Sequence, residues 1–109
     1  MLDRRLEPRM LCADIVDLHW EDQKTGRTCR TTANLDDISR FGACLLLGCP
    51  IPIKTPLRIA HASGELTGKV IYWVWQELGY FTGVEFDPSC QWLQENYRPQ
   101  HLYDARRLE

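Results

Sequence analysis

Apolar residues along this chain fall in short runs separated by polar, glycine-bearing or proline-bearing breaks, which is the rhythm of strands and turns. The first run, Met10 to Trp20, takes its strand character from Ile15, Val16, Leu18 and Trp20, although Asp14 and Asp17 break strict alternation. After the polar stretch Glu21-Asp22-Gln23-Lys24-Thr25-Gly26, a threonine-rich run from Arg27 to Ile38 turns acidic at Asp36-Asp37. If the two runs form a hairpin, paired positions sum to about 47, which sets Met10 opposite Asp37 and Arg9 beside Ile38. Asp37-Ile38-Ser39-Arg40-Phe41-Gly42 then reads as a turn, because Asp and Ser side chains bond nearby amides and Gly accepts positive φ. The continuous apolar run Ala43-Cys44-Leu45-Leu46-Leu47 is expected to follow as a strand buried in a barrel.

Three prolines, Pro50, Pro52 and Pro56, make the next stretch a loop or an edge crossing. Leu57 to His61 is a short strand. Beyond Ser63-Gly64 the alternation Leu66, Gly68, Val70, Tyr72, Val74 leads through Gln76-Glu77-Leu78-Gly79 to Tyr80, Thr82, Val84 and Phe86, a second hairpin. Short strands in this order with no βαβ unit predict a mainly β fold, a six- or seven-stranded antiparallel barrel or split sandwich over residues 10 to 88. Pro88-Ser89, with Ser89 as N-cap, is expected to open a helix carrying Trp92, Leu93, Asn96 and Tyr97 until Pro99, and this helix would plug an open barrel end. Residues 100 to 109 allow either a second helical segment or a frayed tail.

Composition narrows the function classes. At 109 residues one core is expected and two are not. No apolar run approaches the ~20 residues of a membrane span, and Asp3-Arg4-Arg5 leads into no signal-peptide core, so a cytoplasmic location is expected. Five cysteines (Cys12, Cys29, Cys44, Cys49, Cys90) are an odd number without a CxxC pair, which predicts reduced and mostly buried thiols. A net charge of −2 argues against nucleic-acid binding, since duplexes select a basic face. An anion would have to meet a local cluster, and Arg4, Arg5 and Arg9 supply one on a polar segment, residues 1 to 9, that Pro8 biases towards an extended, mobile arm. His19, His61 and His101 show no metal or general-base spacing, so neither a metal nor an enzymatic function is expected.

Arg5-Leu6-Glu7-Pro8-Arg9 fits an RxxxR pattern and Asp37 to Gly42 fits a [DN]xSxxG pattern, in the order and around the hairpin that bring both to one end of a sheet. In this the chain resembles the PilZ domains, bacterial receptors for cyclic di-GMP; Gly68-Lys69-Val70 and Tyr80 to Phe86 look like the last strands of that family. The resemblance covers roughly residues 4 to 88. It implies a split, Greek-key-like PilZ barrel with a C-terminal helix, a cyclic di-GMP ligand and no cofactor or catalysis. It further implies that Arg5 and Arg9 bond guanine edges and phosphate, that Asp37 accepts from the guanine N1 and N2 donors, that Ser39 adds its hydroxyl, and that Gly42 leaves room for the ligand. Arg4, directly before the motif, would correspond to the arginine associated with two intercalated ligand molecules. The implied function is a monomeric or weakly dimeric receptor that signals to a protein effector, with the arm ordering on the ligand. The alternatives are a PilZ-fold adaptor that does not bind the nucleotide and a small split-barrel flavin protein. Trp73 and Trp75 are expected to pack beneath the C-terminal helix.

Overall fold

A computed structural model describes residues 8 to 104. Six strands, β1 (Met10–Glu21), β2 (Thr28–Ser39), β3 (Gly42–Leu47), β4 (Pro56–His61), β5 (Gly64–Gln76) and β6 (Gly79–Phe86), form a closed antiparallel barrel in the order β1-β2-β3-β6-β5-β4. The expected strands are all present, each within a residue or two of its expected bounds. The core is the inward set of the alternation: Val16, Leu18, Leu35, Ile38, Leu45, Leu57, Ile59, Val70 and Val84 are each at most 2% exposed. Burying one such aliphatic side chain contributes roughly 1.5–3 kcal/mol, so these layers hold the barrel together.

The β1/β2 hairpin is correct in outline and displaced in register. Met10 faces Ile38 and Leu11 faces Asp37, and beyond a bulge the pairing runs from Asp14 with Leu35 to Glu21 with Thr28. From Asp14 to Glu21 the pairing is displaced by two residues from the expected register, and the bulge between Leu11 and Asp14 takes one of them back, so that Met10 faces Ile38 instead of Asp37. At the far end Asp22 organises the turn, its carboxylate accepting from the amides of Lys24 at 2.8 Å and Thr25 at 3.2 Å.

Closure of the barrel is narrow. β4 pairs with β1 only from Asp17–Ala60 to His19–Arg58. The start of β1 is covered instead by the C-terminal segment: Leu11 and Tyr103 exchange two backbone bonds at 2.9 Å, and the Ala13 amide donates to Gln100 at 2.9 Å.

That segment corrects the expectation of a helix. Among the described residues there is no α-helix; two turns form in its place, one at Asp87 to Cys90, closed by the Cys90 amide on the Asp87 carbonyl, and one at Leu93 to Tyr97, closed by the amides of Asn96 and Tyr97 on the Leu93 carbonyl. The reason lies in what Trp92 and Tyr97 bond. The Trp92 amide donates to the Arg40 carbonyl at 3.1 Å and its indole N–H to the Tyr97 carbonyl at 2.8 Å, while the Tyr97 hydroxyl donates to Asp14 at 2.6 Å and its ring stacks on His61 at 3.8 Å. Both rings are buried, 7% and 3% exposed, and both plug the barrel end. Two residues five apart cannot share one helical face, so the chain gives up the helix and runs across the barrel end as a strap. Residues 105 to 109 lie outside the described residues.

Candidate functional site

Ser39 and Gly42 pair directly, leaving Arg40 and Phe41 as a two-residue connection between β2 and β3. The Ser39 hydroxyl donates to the Gly42 carbonyl at 3.5 Å, and the turn contains no residue with positive φ. A Cβ at Gly42 would collide with the Val84 carbonyl on β6, so the glycine permits close approach of two strands.

The sheet places one row of side chains on the outer face: Leu11, Asp37, Cys44, Gly83 and Tyr72 are successive cross-strand partners on β1, β2, β3, β6 and β5. Gly83 is the bare point of that row, and the Tyr72 ring lies over it so closely that any Cβ would overlap the ring. Tyr72 reaches this face because β5 carries its own bulge between Val70 and Tyr72, which resets the alternation. An open groove of about 460 Å³ results, lined by Arg9, Ser39, Phe41, Gly42, Tyr72, Gly83 and Glu85 among others. Its volume lies within the range of sites that hold a small organic ligand.

Charge in the groove is unevenly compensated. Arg9 donates to Asp37 at 3.0 Å and also bonds Tyr72; although partial burial alone would lower the Arg9 guanidinium, these partners hold it above its ordinary value. Asp37 behaves differently. Burial raises its carboxyl above the usual range, and neither the Arg9 charge and hydrogen bond nor the bond from the Cys44 amide fully offsets it. The two partners sit in unlike settings, with side-chain exposures of 60% for Arg9 and 18% for Asp37, and an exposed guanidinium is screened by water. Glu85, 4.0 Å from Lys69, adds a second acidic group at the groove wall.

Of the six expected site residues, four are brought together: Arg9, Asp37, Ser39 and Gly42 stand at one end of the barrel. Arg4 and Arg5 lie outside the described residues, as does most of the arm expected over residues 1 to 9. Tyr72, Gly83 and Phe41 went unforeseen as groove residues. A glycine inside an otherwise apolar strand signals close approach, and that signal at Gly83 pointed to the place. Trp73 and Trp75 are not in the groove and are not packed beneath a helix; they are 39% and 62% exposed on the far part of β5.

Among the described residues no group of His, Cys, Asp and Glu is arranged to hold a metal ion, and no helix is long and apolar enough to cross a membrane. The cysteines are free; Cys44 is buried and the other four are half-buried, less buried than expected. Burial, reinforced by Asp37, pushes Cys44 up to about 11 and Cys12 up to about 12, so both are protonated thiols at neutral pH and poor nucleophiles.

The fold and groove define a closed six-stranded antiparallel barrel with an open groove of mixed polar and apolar lining on its outer wall. Comparison with known proteins adds no relative: no family model, no curated protein and no solved structure matches the chain.

Proposed function

We propose that this protein is a cyclic di-GMP receptor of the PilZ kind, without catalysis, which binds the nucleotide in the groove of Arg9, Asp37, Ser39 and Tyr72 and signals to a protein effector. The observation that carries the reading is the Arg9–Asp37 contact at 3.0 Å, made by residues 28 apart in the chain from two separate motifs, with Arg9 and Ser39 both lining the groove. A guanine edge suits this pair. Its O6 and N7 accept from an arginine fork, while its N1 and N2 donors can bond the acceptor-only Asp37 carboxylate. The Tyr72 ring offers a face for base stacking. Arg9 is the groove's cation among the lining residues, opposed by Asp37 and Glu85, so the two phosphates call on Arg5 and Arg4 from the preceding segment.

Isothermal titration with cyclic di-GMP tests the reading and returns the stoichiometry. Saturable binding is expected, with Arg9→Ala and Asp37→Ala each losing about 2–5 kcal/mol of binding free energy and keeping wild-type strand content by circular dichroism. Arg58→Ala, outside the groove lining at an exposed pair with Glu65, should bind as wild type. Absence of heat and of thermal shift at high ligand concentration refutes the proposal.

A further inference from the structure

Among the strand glycines, Gly42, Gly68 and Gly83 have no positive φ, so conformation alone does not call for glycine at any of them. The space that a Cβ would take is filled in two different ways. At Gly42 and Gly68 it meets backbone, the carbonyl oxygens of Val84 and Glu85 on β6. At Gly83 the three nearest atoms all belong to the Tyr72 ring. What the missing side chain makes room for is the phenol.

Two further features aim that ring. The bulge between Val70 and Tyr72 sets Tyr72 opposite Gly83, where unbroken pairing would set Ile71. The hydroxyl meets Arg9 and the sulfur of Cys44, and Cys44 is the partner of Gly83 on the next strand. From β5 the side chain therefore crosses β6 towards β3, and it brings its polar end to the guanidinium that bonds Asp37 at 3.0 Å. Arg9 needs such a hold. Its side chain is 60% exposed, and an arginine with that freedom loses rotamer entropy on meeting a ligand unless it is fixed beforehand.

We propose that Tyr72 is a positioning residue, which acts on the ligand through Arg9, and that Gly83 is the seat that lets the ring lie where it does. The proposal rests on the cyclic di-GMP reading for its ligand and on the free protein for its geometry. Asp37 restrains the guanidinium from β2 and Tyr72 from β5, so the arginine fork is set before a guanine edge or a phosphate arrives. Stacking of a base on the ring is a separate contribution, which Tyr72→Phe keeps while it removes the hydroxyl.

Calorimetric titration and NMR of a small set of variants test this. Gly83→Ala and Tyr72→Phe should each weaken cyclic di-GMP binding about tenfold, since each takes a hydrogen bond from a charged group. Both should keep the wild-type circular dichroism spectrum: the ring is 40% exposed and can swing into solvent, so Gly83→Ala displaces a side chain and not a strand. In a Tyr72→Ala background Gly83→Ala should weaken binding no further, because the seat then has no occupant. In the free wild-type protein the Gly83 α-protons, lying against the ring, should resonate upfield and lose that shift in Tyr72→Ala. The Tyr72 phenol, followed by NMR, should titrate at higher pH in Arg9→Ala, because the guanidinium lowers it, and Gly83→Ala should abolish that difference. Wild-type affinity in Gly83→Ala or in Tyr72→Phe, an equal loss from Gly83→Ala without Tyr72, or Gly83 α-protons indifferent to Tyr72→Ala would each overturn the proposal. If the wild type takes up no cyclic di-GMP, the receptor reading falls, and the two NMR measurements decide the seat by themselves.

Discussion

The two halves of β5, joined at the bulge between Val70 and Tyr72, are both well formed and meet opposite fates. From Gly64 to Val70 the inward residues Leu66 and Val70 are 6% and 0% exposed; from Ile71 to Gln76 every residue is exposed, although this half holds both tryptophans of the strand. The difference comes from neighbours, not from hydropathy. The first half has β4 on one side and a closed barrel behind it, whereas the second continues past the end of β4 with β6 alone. Burial is a property of pairing, and a strand can remain well formed after the core behind it has ended.

That contrast can be tested by substitution. Leu66→Ala, in the buried half, should lower stability by about 2–5 kcal/mol in chemical denaturation, the loss typical of a truncated core leucine. Tyr72→Ala, at the junction, removes one hydrogen bond to Arg9 and the cover over Gly83, and should cost about 1 kcal/mol while weakening ligand binding at the groove. Asp37→Asn separates stability from binding. Burial raises the folded-state value of Asp37, so the stability it contributes is complete below the unfolded carboxylate range and is lost as pH rises through the folded value. The ionised carboxylate is therefore a net cost at pH 7, and the amide should make the free protein more stable at pH 7, show little difference at pH 3, and bind cyclic di-GMP poorly. Trp75→Ala, in the exposed half, should change monomer stability by no more than about 0.5 kcal/mol, measured at concentrations low enough to keep the chain monomeric.

Much of the barrel was legible from period-two patterning, because inward positions such as Leu35, Leu45 and Val84 cannot alternate without a core to face. The groove was legible through its two motifs, which chemistry places together once β1 and β2 pair. What sequence could not supply were the bulges. Those at Leu11/Asp14 and Leu35/Asp37 set how the two ends of β2 pair with its neighbours, and one at Val70/Tyr72 brings Tyr72, instead of Ile71, opposite Gly83. Each is a single residue of slack whose position depends on the partner strand. The missing helix has a similar origin: Trp92, Leu93, Asn96 and Tyr97 sit at helical spacing, but their bonds to Arg40, Asp14 and His61 are long-range and leave no trace in local pattern.

The narrow seam between β1 and β4, finished by the strap at Leu11 and Ala13, also bears on how the chain is made. During synthesis β1, β2 and β3 can pair as soon as each emerges, but β3 waits for β6, and Leu11 waits for Tyr103, whose codon is read more than ninety positions later. Until then the three early strands are an open sheet with one apolar face in water. Residues 100 to 103 emerge after all six strands and shut the barrel, so a nascent chain stalled before residue 100 should remain dependent on chaperones where a chain that includes them does not.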